Sequence, residues 1–251
     1  MGDFIKSLTE WHRASCMIRH RLHGNLTLPF YVTNIPLLSK RREHTITQLK
    51  RIFVTDVTWV HCANGDEVAS NRTKTLGIHP EIVTTRWTKN MTVLMPGTLS
   101  LAMKHLLAIY DASLRKLHHA AIVEDDITFE TTMHQIQSFI AQTPADARVL
   151  HFASYSRRHH FNTIFPRVPH TQVYRRYNNS WIVGATGYVV FTQYANEFFR
   201  PIRAPADIQM FLQGAPIYAP QPTYGTAQFL GYPSSNLKGG THNHITWQVT
   251  T

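Results

Sequence analysis

Apolar and polar positions along this chain change their period repeatedly, and the changes mark out alternating strands and helices. Leu28 to Ile35 is rich in aromatic and β-branched residues, the pattern of a buried strand. Ser39 to Arg51 switches to helical spacing with Ile46 and Leu49 on one face, and Phe53 to His61 returns to a strand. Strand, helix and strand within about thirty residues read as a βαβ unit, whose right-handed crossover predicts parallel pairing. Ala63-Asn-Gly-Asp-Glu is turn chemistry. Pro96-Gly97-Thr98 opens a helix through about Leu117, with Leu99, Ala102, Met103, Leu106, Ile109 and Ala112 keeping helical spacing. Next comes an apolar strand, Ala120 to Val123, that runs into Glu124, Asp125 and Asp126.

The alternation continues with a helix from Thr131 to Ala141, a strand from Ala147 to Tyr155, β-like runs at Thr171 to Tyr177 and Ile182 to Thr192, and a helix from Gln193 to Phe199. From Pro201 onward proline, glycine and tyrosine predict site-forming loops wrapped over the sheet. The expected fold is α/β: one domain over residues 28–251 with a mostly parallel, Rossmann-like central sheet flanked by helices. Residues 1–27, where Trp11, His12, Arg13, Arg19, His20, Arg21 and His23 crowd together, read as a helical appendage. Such a helix either packs on the domain edge or meets a membrane surface or a partner.

Composition narrows the partners. Among 251 residues, 43% are hydrophobic, enough for a buried core, and 25 Lys and Arg against 15 Asp and Glu leave a formal charge of +10. A surface of that sign attracts nucleic acid, an anionic membrane or a phosphorylated small molecule. Cys16 and Cys62 lack the spacing of a zinc or redox motif, so neither a disulfide scaffold nor a thiolate metal site is expected, and a reducing, cytoplasmic setting is the simpler one. No signal peptide or run long enough to cross a bilayer is apparent, which leaves peripheral contact with an anionic membrane. Asn25, Asn71 and Asn90 match the glycosylation sequon and, without a secretion signal, read as chance matches.

The acidic triplet is the chemically richest stretch. Three adjacent carboxylates repel one another in a dry site unless they are hydrogen-bonded, solvated or bound to a cation. Alternation along an extended segment places Glu124 and Asp126 on one face and Asp125 on the other. Oxygen-only ligation suits manganese or magnesium, which share their shells with substrate phosphates. The other reading of the triplet is a solvated acidic turn. His105 likewise reads either as a satisfied core residue or as a ligand.

Beyond the triplet, several blocks occur in order: Phe30-Tyr-Val-Thr-Asn34-Ile, then Lys40-Arg41-Arg42, Ala63-Asn64-Gly65, and Pro96-Gly-Thr-Leu-Ser-Leu-Ala-Met-Lys104-His105-Leu106. Val149-Leu-His-Phe, Ala185-Thr-Gly187-Tyr188, Pro205-Ala-Asp207 and Pro233-Ser-Ser follow. Together they resemble glycosyltransferase family 25, the lipooligosaccharide and collagen galactosyltransferase type, over residues 28–236. The segment facing the triplet departs from the family pattern: Thr98 replaces its glutamate, Ser100 its glycine and Lys104 its serine, and the family cysteine is absent.

The resemblance implies a GT-A fold, a nucleotide-sugar donor, a glycan, glycolipid or glycoprotein acceptor, and transfer with inversion. It implies Asn34, Arg41, Arg42, Gly65, His105 and Asp125 around the donor, a divalent ion on Glu124 and Asp126, and Asp207 as base. Asp207 reads equally as a helix N-cap, and Lys40-Arg41-Arg42 as a solvated helix start. Late in the chain, Lys238-Gly-Gly would let a loop close over a diphosphate with Lys238 pointing in, and His242 or His244 would join the metal, as late histidines do in other GT-A enzymes. Arg157-Arg-His-His160 with Arg175-Arg176 reads as an acceptor-binding loop or a solvated one. The rival class is a nucleic-acid-binding protein or nuclease, favoured by charge alone; no recognised nucleic-acid module is present, so no such partner is expected. A non-catalytic sugar-nucleotide-binding relative is a third reading, raised by the departures around Lys104.

Overall fold

Four consecutive buried residues, Phe30–Thr33, make strand β2, and their burial on both faces is what a central strand of a covered sheet requires. The computed structural model describes residues 2–13, 17–21, 28–70, 96–129, 131–155, 167–176, 183–200, 202, 217–220 and 231–233. Helix α1 is Gly2–Arg13 and strand β1 is Met17–Arg21; β2 is followed by α2, Ser39–Arg51, β3, Asp56–Val60, and the short α3, Gly65–Ser70. Helix α4, Pro96–Leu114, leads to β4, His119–Glu124, and β5, Ile127–Phe129. Then come α5, Met133–Gln142, β6, Val149–Tyr155, β7, Val173–Arg176, β8, Val183–Phe191, a 3-10 turn at Thr192–Glu197, β9, Ile217–Pro220, and β10, Gly231–Pro233.

The chain builds the expected α/β fold around one open sheet of eight strands, in the order β1-β3-β2-β4-β8-β6-β9-β7. Pairing is parallel where the βαβ pattern predicted it, β3 with β2 and β2 with β4. Beyond this centre the sheet is mixed: β8 is antiparallel to β4 and β6, β9 is parallel to β6, and β7 is antiparallel to β9. The order 3-2-4 makes β2 the strand about which the chain changes direction, and in open α/β sheets that switch opens a crevice at the carboxyl ends.

Helices cover both faces. One core gathers Tyr31, Val60, Ile122 and Tyr188 under α1 and α4; the other gathers Phe30, Val32, Trp59 and Val123 under α2 and α5. Helix α4 is buried at every position from Ala102 to Ile109, as expected of a helix enclosed on several sides. Its predicted run to Leu117 stops at Leu114, and Lys116 takes a left-handed φ of 54°. Helix α5 is held at its start by a capping box between Thr132 and Gln135.

The first residues depart from a wholly helical appendage. Helix α1 inserts Phe4 and Leu8 into the α4-side core, and Met17–Arg21 is a strand, antiparallel to β3 with Met17 opposite Val60. Edge pairing against an exposed strand outweighs the helical reading there. The cysteine expectation is also corrected: Cys62, two residues past β3, is disulfide-bonded, and the sequence holds one other cysteine, Cys16, just before β1. Strand pairing in space, which sequence spacing does not reveal, brings these neighbourhoods together. A disulfide persists where thiols are not kept reduced, which runs against a reducing setting. Among the described residues no helix is long and apolar enough to cross a membrane.

Candidate functional site

The crevice at the carboxyl ends of β2, β3 and β4 is built on Asp125. Strand β4 ends at Glu124, and Asp125 and Asp126 form the turn into β5. The Asp125 carboxylate accepts hydrogen bonds from the Asn34 amide nitrogen at 2.9 Å, the Ile35 backbone N–H at 3.3 Å and Arg41 Nη1 at 3.0 Å. Its carbonyl accepts from Thr45 Oγ1 at 2.6 Å. Arg41 and Thr45 stand one turn apart on α2 and therefore grip the same residue, one by its side chain and one by its backbone. A carboxylate that is 4% exposed is stable there only because it is so fully engaged.

The predicted pairing of Glu124 with Asp126 is not what forms. Alternation holds up to Glu124, which lies on the α4 face, but the turn breaks it, and Asp126 meets the same Arg41 as Asp125, Oδ2 to Nη1, at 3.4 Å. Glu124 instead lies 3.9 Å from His105 Nε2. Among the described residues no group of three His, Cys, Asp or Glu side chains is placed to hold a metal ion. Glu124 and Asp126 are thus turned to different partners, a histidine and an arginine on opposite faces, and do not share one face as alternation predicts. Asp207, Lys238, His242 and His244 lie outside the described residues, as do all of Arg157 to His160.

The second wall comes from β3 and α4. Lys104, 2% exposed, donates from Nζ to the Asn34 carbonyl at 2.7 Å and to Asn64 Oδ1 at 3.2 Å. Burial pulls its ammonium down to about 8, with Asp125 and Glu67 opposing, so it stays protonated at neutral pH. Asn34 is thus held by its backbone N–H on Val60, its carbonyl on Lys104 and its amide on Asp125. Ala63, fully buried in the turn after β3, takes a left-handed φ of 56°, a strained state for a residue with a Cβ. The contact in this turn is made by Asn64; Gly65 begins α3 beside it.

Arg42 lies over the Trp59 ring, 5.2 Å from its centroid, and donates to His20 Nε2 at 3.3 Å. His61 stacks on Trp59, with ring centroids 6.3 Å apart at an interplanar angle of 15°. Burial, then the charges of Arg42, Lys104 and His20, lower its imidazole to about 4. Thr45, His61 and Lys104 were not singled out as site residues from sequence. A buried threonine four residues after Arg41 and a lysine inside an apolar helix were the available signals.

His105 belongs to the opposite face. Its Nδ1 is hydrogen-bonded to Tyr188 Oη at 2.9 Å and its ring stacks on Tyr188 at 5.5 Å. The Glu124 carboxylate would favour an imidazolium, but no hydrogen bond joins them and complete burial prevails, lowering His105 to about 3. The sign of the consequence is fixed: the unfolded chain protonates this histidine near 6.5 and the folded one does not. Stability is therefore full above that pH and falls as pH drops from about 6.5 towards 3. The expected loss from His105 alone is about 2 kcal/mol by about pH 5. Urea unfolding at about pH 7.5 and 5 measures it, and His105→Leu should flatten the slope; an unchanged slope would place the acid sensitivity elsewhere.

No family model matches this chain, and no curated protein matches it. Among solved structures it is similar to the apo form of mouse xyloside xylosyltransferase 1, with 8% sequence identity and a TM-score of 0.36, over 82% of this chain and 75% of that one.

Proposed function

We propose that the chain is a glycosyltransferase that moves a hexose or related sugar from a nucleotide-diphosphate sugar to a hydroxyl of a glycan acceptor. The observation that carries this reading is the crevice itself. At the carboxyl ends of β2, β3 and β4, the buried carboxylates of Asp125 and Asp126 meet Arg41, Asn34 joins Asp125 to Lys104, and Arg42 lies over Trp59. A polar, hydrogen-bonding acidic group beside fixed positive charge suits a ligand that carries both hydroxyls and phosphates. Asp125, with both oxygens anchored, is the group for sugar or ribose hydroxyls; the cations suit the phosphates.

In the reaction, the acceptor oxygen forms a bond to the anomeric carbon as the bond from that carbon to the phosphate oxygen breaks. The electron pair leaves with the nucleoside diphosphate, and the hydroxyl proton goes to a base. Attack from the face opposite the leaving group inverts the anomeric centre. Resemblance gives the base role to Asp207. Positive charge fixed before the reaction stabilises the departing diphosphate without reorganisation, and this is the contribution of Arg42 and Lys104.

The experiment is a panel of nucleotide sugars screened for thermal stabilisation and donor hydrolysis, with UDP-sugars first. A ligand at about one hundred times its Kd should raise the unfolding free energy by about 2.7 kcal/mol. No stabilisation by any nucleotide or nucleotide sugar, together with salt-sensitive retention on DNA, would replace this reading with phosphate-backbone binding.

A further inference from the structure

Helix α2 breaks a local rule. Its first turn carries Lys40, Arg41 and Arg42 and no acidic residue, at the end where the helix dipole is already positive. Leu38, at its N-cap, provides no side-chain hydrogen bond to the free N–H groups. Arg41 is neutralised by Asp125 and Asp126. Arg42 is not: its polar contact is His20 and its stacking partner is Trp59. Across the crevice, the ammonium of Lys104 is bound by a carbonyl and an amide oxygen, with no carboxylate in hydrogen-bond contact.

Two further observations point to a ligand. Both ring nitrogens of His61 are shielded from solvent and have no hydrogen-bond partner, and the same holds for Asn34 Oδ1, on a residue 1% exposed. Polar atoms left this way cost free energy unless something else satisfies them. Sequence rules broken without a compensating contact mark functional sites more often than elsewhere. The charges of Arg42, Lys104 and His20 all bear on His61, whose neutral ring carries one N–H, and together they favour an anion with several oxygens; Asn34 Oδ1, an acceptor, suits a hydroxyl of the same ligand.

We propose that this crevice takes the diphosphate of its donor directly on protein groups, Arg42 and Lys104 with His61 and the first turn of α2, without a divalent ion bridging it to Glu124 and Asp126. The proposal rests on the nucleotide-donor reading above and replaces its expected metal with cations of the chain. Lys104 stands where the resembling family has serine, so this cation is a property of the present chain.

The test is calorimetric titration of the full chain with UDP, uridine and inorganic pyrophosphate, each in EDTA and in manganese. UDP should bind with the same affinity in both buffers, and uridine more weakly in both. Arg42→Gln and Lys104→Met should each weaken UDP and pyrophosphate binding in EDTA roughly tenfold, the loss of one charged hydrogen bond, with uridine unchanged. Arg42 is half-buried on the α2 surface, so its variant reports even if Lys104→Met is poorly folded. UDP binding that requires manganese, or variants that bind UDP as the parent does, would overturn the inference while the donor reading stands. Metal-free binding of pyrophosphate with none of UDP would keep the anion site and sink the donor reading. Absence of binding by all three ligands in both buffers would overturn both.

Discussion

Replacing Asp125 with alanine should lower the unfolding free energy by roughly 3 to 5 kcal/mol, the cost of removing one partner of a buried ion pair, and abolish nucleotide binding. The carboxylate is the common acceptor for Asn34, Ile35 and Arg41, and its removal leaves Arg41, with a side chain 13% exposed, facing Asp126 alone. Lys104 would also lose the carboxylate that most favours its charged form. Stability and binding should separate in a second variant. Adding Arg41→Met to Asp125→Ala also takes the cation from the buried Asp126, so the double variant should lose less than the sum of the two single changes while the ligand still fails to bind, a non-additivity expected of residues in contact. Urea unfolding and UDP calorimetry measure the two effects. A single variant within about 1 kcal/mol of the parent would show that Asp125 is not the anchor of the crevice.

Asp111→Ala should be nearly as costly, at roughly 3 kcal/mol, and leave nucleotide binding intact. Asp111 is a buried residue of α4 that accepts from Tyr31 Oη at 2.6 Å and is hydrogen-bonded to His12 Nε2 at 2.8 Å. Arg19 lies 3.6 Å and Arg115 3.8 Å from it, and Arg115 also donates to Asp56 at 3.1 Å. One carboxylate thus ties α1, β1, β2 and, through Arg115, β3 to α4. Burial and the adjacent Asp111 both push the Tyr31 phenol well above its ordinary range, so the phenol remains a donor. Without Asp111 the first two elements lose their polar anchor, and hydrogen exchange should rise first in α1 and β1. Uniform exchange across the chain, or loss of UDP binding at preserved stability, would contradict this division between scaffold and site.

The carboxyl-end crevice was legible because a βαβ unit has a strong signature. Apolar runs at β2 and β4 and the helical period of α2 set the parallel centre, and the switch of direction about β2 follows from the strand order. The membership of the site was legible in part. Asn34, Arg41 and Asp125 do come together, because they sit at strand ends or in the first turn of the following helix, where sequence position dictates location, whereas Arg42 lies over Trp59. Glu124 and Asp126 did not pair, since the strand ends at Glu124 and a turn follows where alternation assumed extended chain. His105, read as either core or ligand, packs with Tyr188 on the other face.

What the sequence by itself determined was local: the periods of its helices and strands, the position of the acidic triplet, the excess of positive charge, and the basic start of α2. Each depends on neighbours within a few residues, where covalent geometry fixes the relation. Tertiary structure alone decided the remainder. Pairing of Met17 with Val60 turned an expected helical stretch into an edge strand, and Cys62, two residues on, is disulfide-bonded. Burial turned Lys104, a departure from a family pattern, into a fixed cation bound to Asn34 and Asn64. Burial also left His61 neutral among positive charges. These outcomes depend on contacts between distant segments and on desolvation, quantities that exist only once the chain has closed around them.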